Sequence, residues 1–138
     1  MYTISKQFEF EAAHRLTHVP EGHPCGNVHG HSYFVEVELF DKTNILLPDQ
    51  WVKDFRELEP LNELIKTKFD HQFLTPQLLN EVAGFHNMIL EHKRNLIKQT
   101  TSENMAYAIY CWCLRQDWPV SKVTVSETRK SRASFSIV

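Results

Sequence analysis

Glycine is scarce in this chain, with four among 138 residues, and cysteine is scarcer, with three. So few glycines exclude collagen-like and glycine-rich low-complexity architectures. An odd cysteine count, with Cys111 and Cys113 paired in a helix-like "CWC", excludes a disulfide framework and points to a reducing, cytosolic setting. Neither sign of charge is in excess: 15 Lys and Arg against 17 Asp and Glu leave a net charge of −2. Composition therefore offers no basic face for a nucleic acid. No apolar run approaches the length of a membrane span, and the opening "MYTISKQFEF" lacks the charged-then-apolar plan of a secretory leader, so a cytoplasmic location is expected. What remains is the composition of an ordinary folded domain, 42% hydrophobic and 23% charged, with no internal repeat. The length suits one domain over residues 1–138 and is short for two.

Alternation marks the first two strands, because successive side chains of a strand point to opposite faces. In "ISKQFEFEAAHRL", Ile4, Phe8, Phe10, Ala12 and His14 share one parity, with Lys6 the exception. Residues 16–28 carry Pro20, Gly22, Pro24 and Gly26 and read as a loop. In "HGHSYFVEVELF", His29, His31, Tyr33, Val35, Val37 and Leu39 take one face, with Ser32, Glu36 and Glu38 opposite. A turn-rich "DKTNILLPDQ" leads to "KDFRELEPLNELIKTKF", which has helical spacing. Asp54 and Glu57 are spaced as a capping box, which puts Pro60 deep inside the helix; alternatively the helix starts at Pro60. The pattern does not choose.

Beyond "FDHQFL", residues 75–100 show a loose helical pattern broken by Gly84. "TTSENMAYAIYCWCLRQ" is a firmer helix, with Thr100 and Glu103 spaced as a capping box and Trp118-Pro119 closing it. "SKVTVSET" reads as a third strand with Val123, Val125 and Glu127 on one face, and "ASFSIV" as a fourth. This order predicts an α+β domain with a mostly antiparallel sheet.

The chemistry concentrates in "CGNVHGHSY". His29 and His31 project from one strand face, and His14 ends the preceding strand, so a paired strand brings all three together. Three neutral imidazoles with an open position make a catalytic zinc arrangement. An isolated H-x-H is usually just polar, but here both histidines lie in register with the apolar face, where an unpartnered imidazole is costly. Cys25 is either a fourth ligand or a thiolate standing off the metal with a lowered pKa. Spacing does not separate these. His18, His23, His86 and His92 are read as solvated. Asp70-His71 has the form of an acid–base relay, in which the carboxylate orients the imidazole. Glu127, on an inward parity, is either a structural ion pair or an acceptor for a donor-rich ligand edge.

Taken in order, "FEAAHRL", "CGNVHGHSY", "VKDF", "FDH", "TSEN" and "VSET" resemble the 6-pyruvoyltetrahydropterin synthase superfamily along nearly the whole chain. The compact "CGNVHGH" preceded by "VPEGH" is similar to its queuosine-pathway branch, which forms a 6-carboxytetrahydropterin. The resemblance implies the tunnelling fold (T-fold), an antiparallel four-stranded sheet with helices packed on one face. Three such sheets close into a barrel, and two rings stack into a homohexamer with pockets between subunits. It implies zinc on His14, His29 and His31, Cys25 as a catalytic base, and Asp70 with His71 as a second relay. Glu127 then accepts from the pterin amino and ring N–H groups, and Thr101, Ser102 and Glu103 lie at the pterin pocket. The implied substrate is 7,8-dihydroneopterin triphosphate, which loses triphosphate and, in this branch, has its side chain cleaved with release of acetaldehyde. Arg129, Lys130 and Arg132 are candidates from charge alone for the triphosphate, against a solvated basic loop.

Alternatives are a 6-pyruvoyltetrahydropterin synthase, which keeps the three-carbon side chain, and a non-catalytic, zinc-stabilised pterin-binding module. The chain also departs from the family pattern. A helical insertion at about 76–99 adds roughly three to five turns between His71 and Thr101. Thr100 replaces a usual proline, Gln50 stands where glycine is common, and Phe135 replaces a usual tyrosine.

Overall fold

The computed structural model describes residues 1–43, 45–46, 48–84 and 96–137. Its spine is a pair of 13-residue strands, β1 (Tyr2–His14) and β2 (His29–Asp41), antiparallel along their full length. The parity read from the sequence is the parity that is buried. Phe8, Phe10, Ala12 and His14 on β1 share an inner face with Tyr33, Val35, Val37 and Leu39 on β2. Full burial of each large apolar side chain contributes about 1.5–3 kcal/mol, so a one-residue slip of register would expose most of this face.

The ambiguity at Pro60 resolves into two consecutive elements. Asp54 caps a short 3-10 turn (Phe55–Leu58) by accepting from the Arg56 N–H, at 2.9 Å. The α-helix α1 (Glu59–Lys68) then starts with Pro60 in its first turn, where a missing N–H has no helical partner to lose. Leu61 and Ile65 bury its inner face.

After α1 the chain turns through His71, at φ +60°, and forms a two-residue strand β3 (Gln72–Phe73), parallel to β1 at Ala12–Ala13. Among the described residues the sheet has five strands, where the resemblance implied four; it is mostly antiparallel, as the sequence predicts, with one parallel pair. A two-residue strand has no period to read, which is why alternation missed it.

Helix α2 (Pro76–Ala83) is capped by Thr75 and ends at Gly84, whose φ of +85° is the left-handed conformation glycine adopts without strain. The Arg115 guanidinium closes that end by donating to the Val82 and Ala83 carbonyls, both at 2.6 Å. Of the helical stretch expected over 76–99, residues 85–95, including His86 and His92, lie outside the described residues. Helix α3 (Ser102–Arg115) is buried over almost its whole surface and lies against α2 and the strands over residues 120–135. Its N-cap is Thr101, which accepts from the Asn104 N–H at 3.2 Å, so the capping pair expected at Thr100 and Glu103 is shifted by one residue.

Strands β4 (Val120–Ser126) and β5 (Arg132–Phe135) complete the order β3-β1-β2-β4-β5. Val123 and Val125 pair with Val37 and Val35, and Glu127 follows just beyond the end of β4. Two of the departures from the family pattern have a local physical setting. Gln50 adopts φ +65°, a conformation that favours glycine. Phe135 packs edge-on between Tyr107 and Tyr110, with ring centroids 5.0 Å from each.

Candidate functional site

Three histidines meet where β1 ends and β2 begins. The register sets His14 opposite His29 and Ala12 opposite His31, so all three share the inner parity. One ring nitrogen from each lies within 4.8 Å of the other two. Ring centroids are separated by 4.7 Å (His14–His29), 4.9 Å (His29–His31) and 5.3 Å (His14–His31). Gly30 lets the strands close here: a Cβ at this position would stand 3.3 Å from the Ala12 carbonyl oxygen.

Hydrogen bonds outside the cluster fix how two of the rings are presented. His14 Nδ1–H donates to the Thr100 carbonyl at 2.9 Å, with Thr100 Oγ1 at 3.1 Å. His29 Nδ1–H donates to the Asn27 carbonyl at 2.7 Å. A carbonyl only accepts, so each Nδ1 carries the proton and each Nε2 keeps its lone pair for the cluster. His31 Nε2 is buried and has no hydrogen-bond partner. Its nearest charge is Glu127 Oε2 at 3.9 Å, beyond hydrogen-bond reach. Burial pushes both His14 and His31 below the ordinary imidazole value of 6.5, and the Glu127 carboxylate pulls the other way. Two oriented lone pairs and one orphaned buried nitrogen fit a metal ion held by three imidazoles.

Glu127 joins this cluster to a small pocket. Its Oε1 accepts from Ser102 Oγ–H at 2.8 Å. A cavity of about 170 Å³ is lined by Ser102, Glu103, Glu127, Ser131, Arg132 and Ala133. The fold thus collects Ser102, Glu103, Glu127 and Arg132 from two distant segments. Thr101 does not line the cavity; its hydroxyl is occupied as the α3 cap. Arg129 and Lys130 are exposed in the β4–β5 turn and do not line it either.

Cys25 sits half-buried in a 3-10 turn (Pro24–Gly26). Its carbonyl accepts from the Leu16 N–H at 2.8 Å, and its N–H donates to His23 Nδ1 at 3.0 Å. His23, read as solvated, is exposed and yet caps this turn. The Cys25 thiol does not belong to the group formed by His14, His29 and His31.

Asp70 and His71 stand elsewhere in the chain. Asp70 Oδ1 accepts from the Glu11 N–H at 2.9 Å, and Oδ2 lies 3.0 Å from His71 Nδ1. The Glu11 N–H and then His71 hold the Asp70 carboxyl below its usual range. The His71 side chain is 78% exposed and lines a cavity of about 520 Å³ that His31 of the cluster also lines, with Glu11, Ser32, Gln72 and Phe73. Among the described residues, neither Asp70 nor His71 hydrogen-bonds to Cys25, Glu127 or the three histidines.

Thr100, Asn27 and Gln99 escaped sequence reasoning as site-building residues. Thr100 and His14 are 86 residues apart, a separation that no local pattern records.

Comparison with known proteins gives consistent findings. A family model described as 6-pyruvoyl tetrahydropterin synthase matches residues 3–137. The 6-carboxy-5,6,7,8-tetrahydropterin synthase of Haemophilus influenzae is 30% identical over 117 residues, covering 80% of this chain and 80% of its own. An uncharacterized protein of Wolinella succinogenes has the same fold, with a TM-score of 0.72 at 23% identity over 99% of this chain and 98% of its own. The 6-pyruvoyl tetrahydropterin synthase of Caenorhabditis elegans does too, with a TM-score of 0.67 at 24% identity over 99% of this chain and 96% of its own.

Proposed function

The chain belongs to the 6-pyruvoyl tetrahydropterin synthase family, and we propose that it acts as a zinc-dependent 6-carboxytetrahydropterin synthase of queuosine biosynthesis. The reaction takes 7,8-dihydroneopterin triphosphate and water to 6-carboxytetrahydropterin, acetaldehyde and triphosphate. The observation that carries this reading is the continuity of two sites through Glu127, with three imidazoles on one side and the Ser102–Glu103 pocket on the other. The compact cysteine spacing and the Haemophilus influenzae relative support the carboxy-forming branch.

His14, His29 and His31 hold the zinc. Bound there, zinc supplies a Lewis acid for the side-chain oxygens of the substrate. Glu127 recognises the pterin: Ser102 steadies one carboxylate oxygen, and the remaining lone pairs accept from the amino and ring N–H groups. Glu103 borders the same pocket, Thr101 holds the helix start that presents Ser102, and Arg132 offers a cation to the triphosphate. Cys25 acts as the base that removes a proton from the substrate side chain, and His71, oriented by Asp70, moves a second one.

Among the described residues no hydrogen bond joins Asp70-His71 to Cys25, and the proposed unit is a hexamer, a dimer of trimers, in which Asp70-His71 of one copy faces Cys25 of the next. The short edge strands β3 and β5 suit closure of sheets into a ring. We take residues 1–138 as one domain with a helical insertion at about 76–99, working in the cytoplasm. No described helix is long and apolar enough to cross a membrane.

The test is an anaerobic assay of zinc-loaded protein with 7,8-dihydroneopterin triphosphate, following acetaldehyde and the pterin product by mass. Acetaldehyde with 6-carboxytetrahydropterin is expected, and Cys25→Ala should abolish it while zinc content stays at wild-type level. A product that keeps its three-carbon side chain would move the assignment to a 6-pyruvoyltetrahydropterin synthase. Zinc binding with no turnover would leave a pterin-binding module. Loss of zinc and fold in Cys25→Ala would make the thiol a structural ligand.

A further inference from the structure

The residues just before α3 each hold a different part of the molecule. Asn80 of α2 brackets Ile97, donating to its carbonyl and accepting from its N–H, both at 2.9 Å. Two residues on, Gln99 brackets Thr17: its Oε1 accepts from the Thr17 N–H at 3.0 Å, and its Nε2 donates to Thr17 Oγ1 at 2.7 Å. Thr100 then receives His14 Nδ1–H, Thr101 caps α3, and Ser102 donates to Glu127. The Gln99 carbonyl itself accepts from Asn104 Nδ2 at 3.0 Å, which ties this run to the first turn of α3.

Thr17 is next to Leu16, and the Leu16 N–H is bonded to the Cys25 carbonyl at 2.8 Å. A continuous path therefore runs from α3 through Asn104, Gln99 and Thr17–Leu16 to Cys25. The loop over residues 16–28 is tied elsewhere to its own turn, through His23, and to the start of β2, where the Asn27 carbonyl accepts from His29. Among the described residues, the Gln99 side chain is its hydrogen-bonded link to the α3 scaffold.

We infer that Gln99 is a positioning residue for Cys25, clamping the cysteine loop to the segment that also orients His14 and Glu127. The same short run sets the pose of the thiol, a metal ligand and the pterin acceptor relative to one another. A primary amide suits this task, since one side chain satisfies a donor and an acceptor on the same residue. The consequence for catalysis rests on the role proposed for Cys25; the clamp itself does not.

The experiment measures the rate at which iodoacetamide alkylates Cys25 in the folded, zinc-loaded protein, beside steady-state kinetics. Cys111 and Cys113 are fully buried, so labelling in the native state reports Cys25, with Cys25→Ala as the blank. Gln99→Ala should speed alkylation about tenfold, as expected when hydrogen bonds holding a surface loop are lost. It should lower kcat and leave KM and zinc content near wild type. Thr17→Val, which removes only the Oγ1 acceptor, should give a smaller increase in the same direction, and it decides the matter should Gln99→Ala fail to fold. An alkylation rate unchanged in the folded variants would overturn the inference, whatever the activity does. Full turnover by Cys25→Ala would instead refute the catalytic role of the thiol, and the labelling rate would still judge the clamp.

Discussion

His14 Nδ1–H donates to the carbonyl of Thr100, 86 residues further along the chain, at 2.9 Å. The bond sets the tautomer of the most buried of the three histidines, and the Thr100 hydroxyl lies at 3.1 Å from the same nitrogen. Groups of this kind around a ligating imidazole typically alter metal affinity by 10–100-fold when removed.

Thr100→Val keeps the carbonyl and the shape of the side chain but deletes the hydroxyl. Zinc affinity should fall by about tenfold, the lower end of that range because the carbonyl remains. Competition with a chromophoric chelator measures it. An unchanged constant would assign the whole effect to the backbone carbonyl.

Glu127→Gln exchanges a carboxylate oxygen for an amide that donates, where the proposed recognition requires acceptors for two pterin donors. Two charge-assisted hydrogen bonds are weakened or lost, so kcat/KM should drop by about two orders of magnitude or more. Zinc content should be retained, because Glu127 does not belong to the three-histidine group. Wild-type kcat/KM in this variant would remove Glu127 from substrate recognition.

Acid should destabilise the metal-free protein through His14 and His31. Burial lowers both from 6.5, so the unfolded chain takes up protons at a pH where the folded chain resists them. Stability from this source is complete above 6.5 and is lost as pH falls from there through the lower folded-state values. Chemical denaturation of apoprotein between pH 7.5 and about 5 tests the slope, and His14→Ala should flatten it. Stability that rises on acidification across that window would contradict the sign.

Mixing two inactive variants tests whether the site is shared between copies. If Cys25 and His71 come from different subunits, co-assembled Cys25→Ala and His71→Ala chains restore about one quarter of wild-type sites at equal mixing. The fraction is the chance that both positions at one interface draw an intact residue. Co-refolding followed by the acetaldehyde assay reads it directly. No recovery in mixed assemblies would place the relay within one chain.

Much of this architecture is written locally. The alternation through Phe8, Phe10, Ala12 and His14, and through His31, Tyr33, Val35 and Val37, is a consequence of the pleat and sorts one buried face. It placed the two long strands and, because His14 and the His29–His31 pair lie in that register, the three-histidine cluster as well. Where period was absent the reading failed: β3 has two residues, and the α3 cap lay one position from the expected pair.

The amino-acid sequence by itself determined the two long strands, the approximate helix positions and the residue types able to bind a metal, because these follow from periodicity and side-chain chemistry over a few residues. Only the tertiary structure decided that His14 directs its Nδ1–H to Thr100, that Ser102 meets Glu127, and that Gln99 bonds Thr17. Those are contacts between segments tens of residues apart, where hydrogen-bond geometry depends on packing of whole elements and leaves no trace in local spacing.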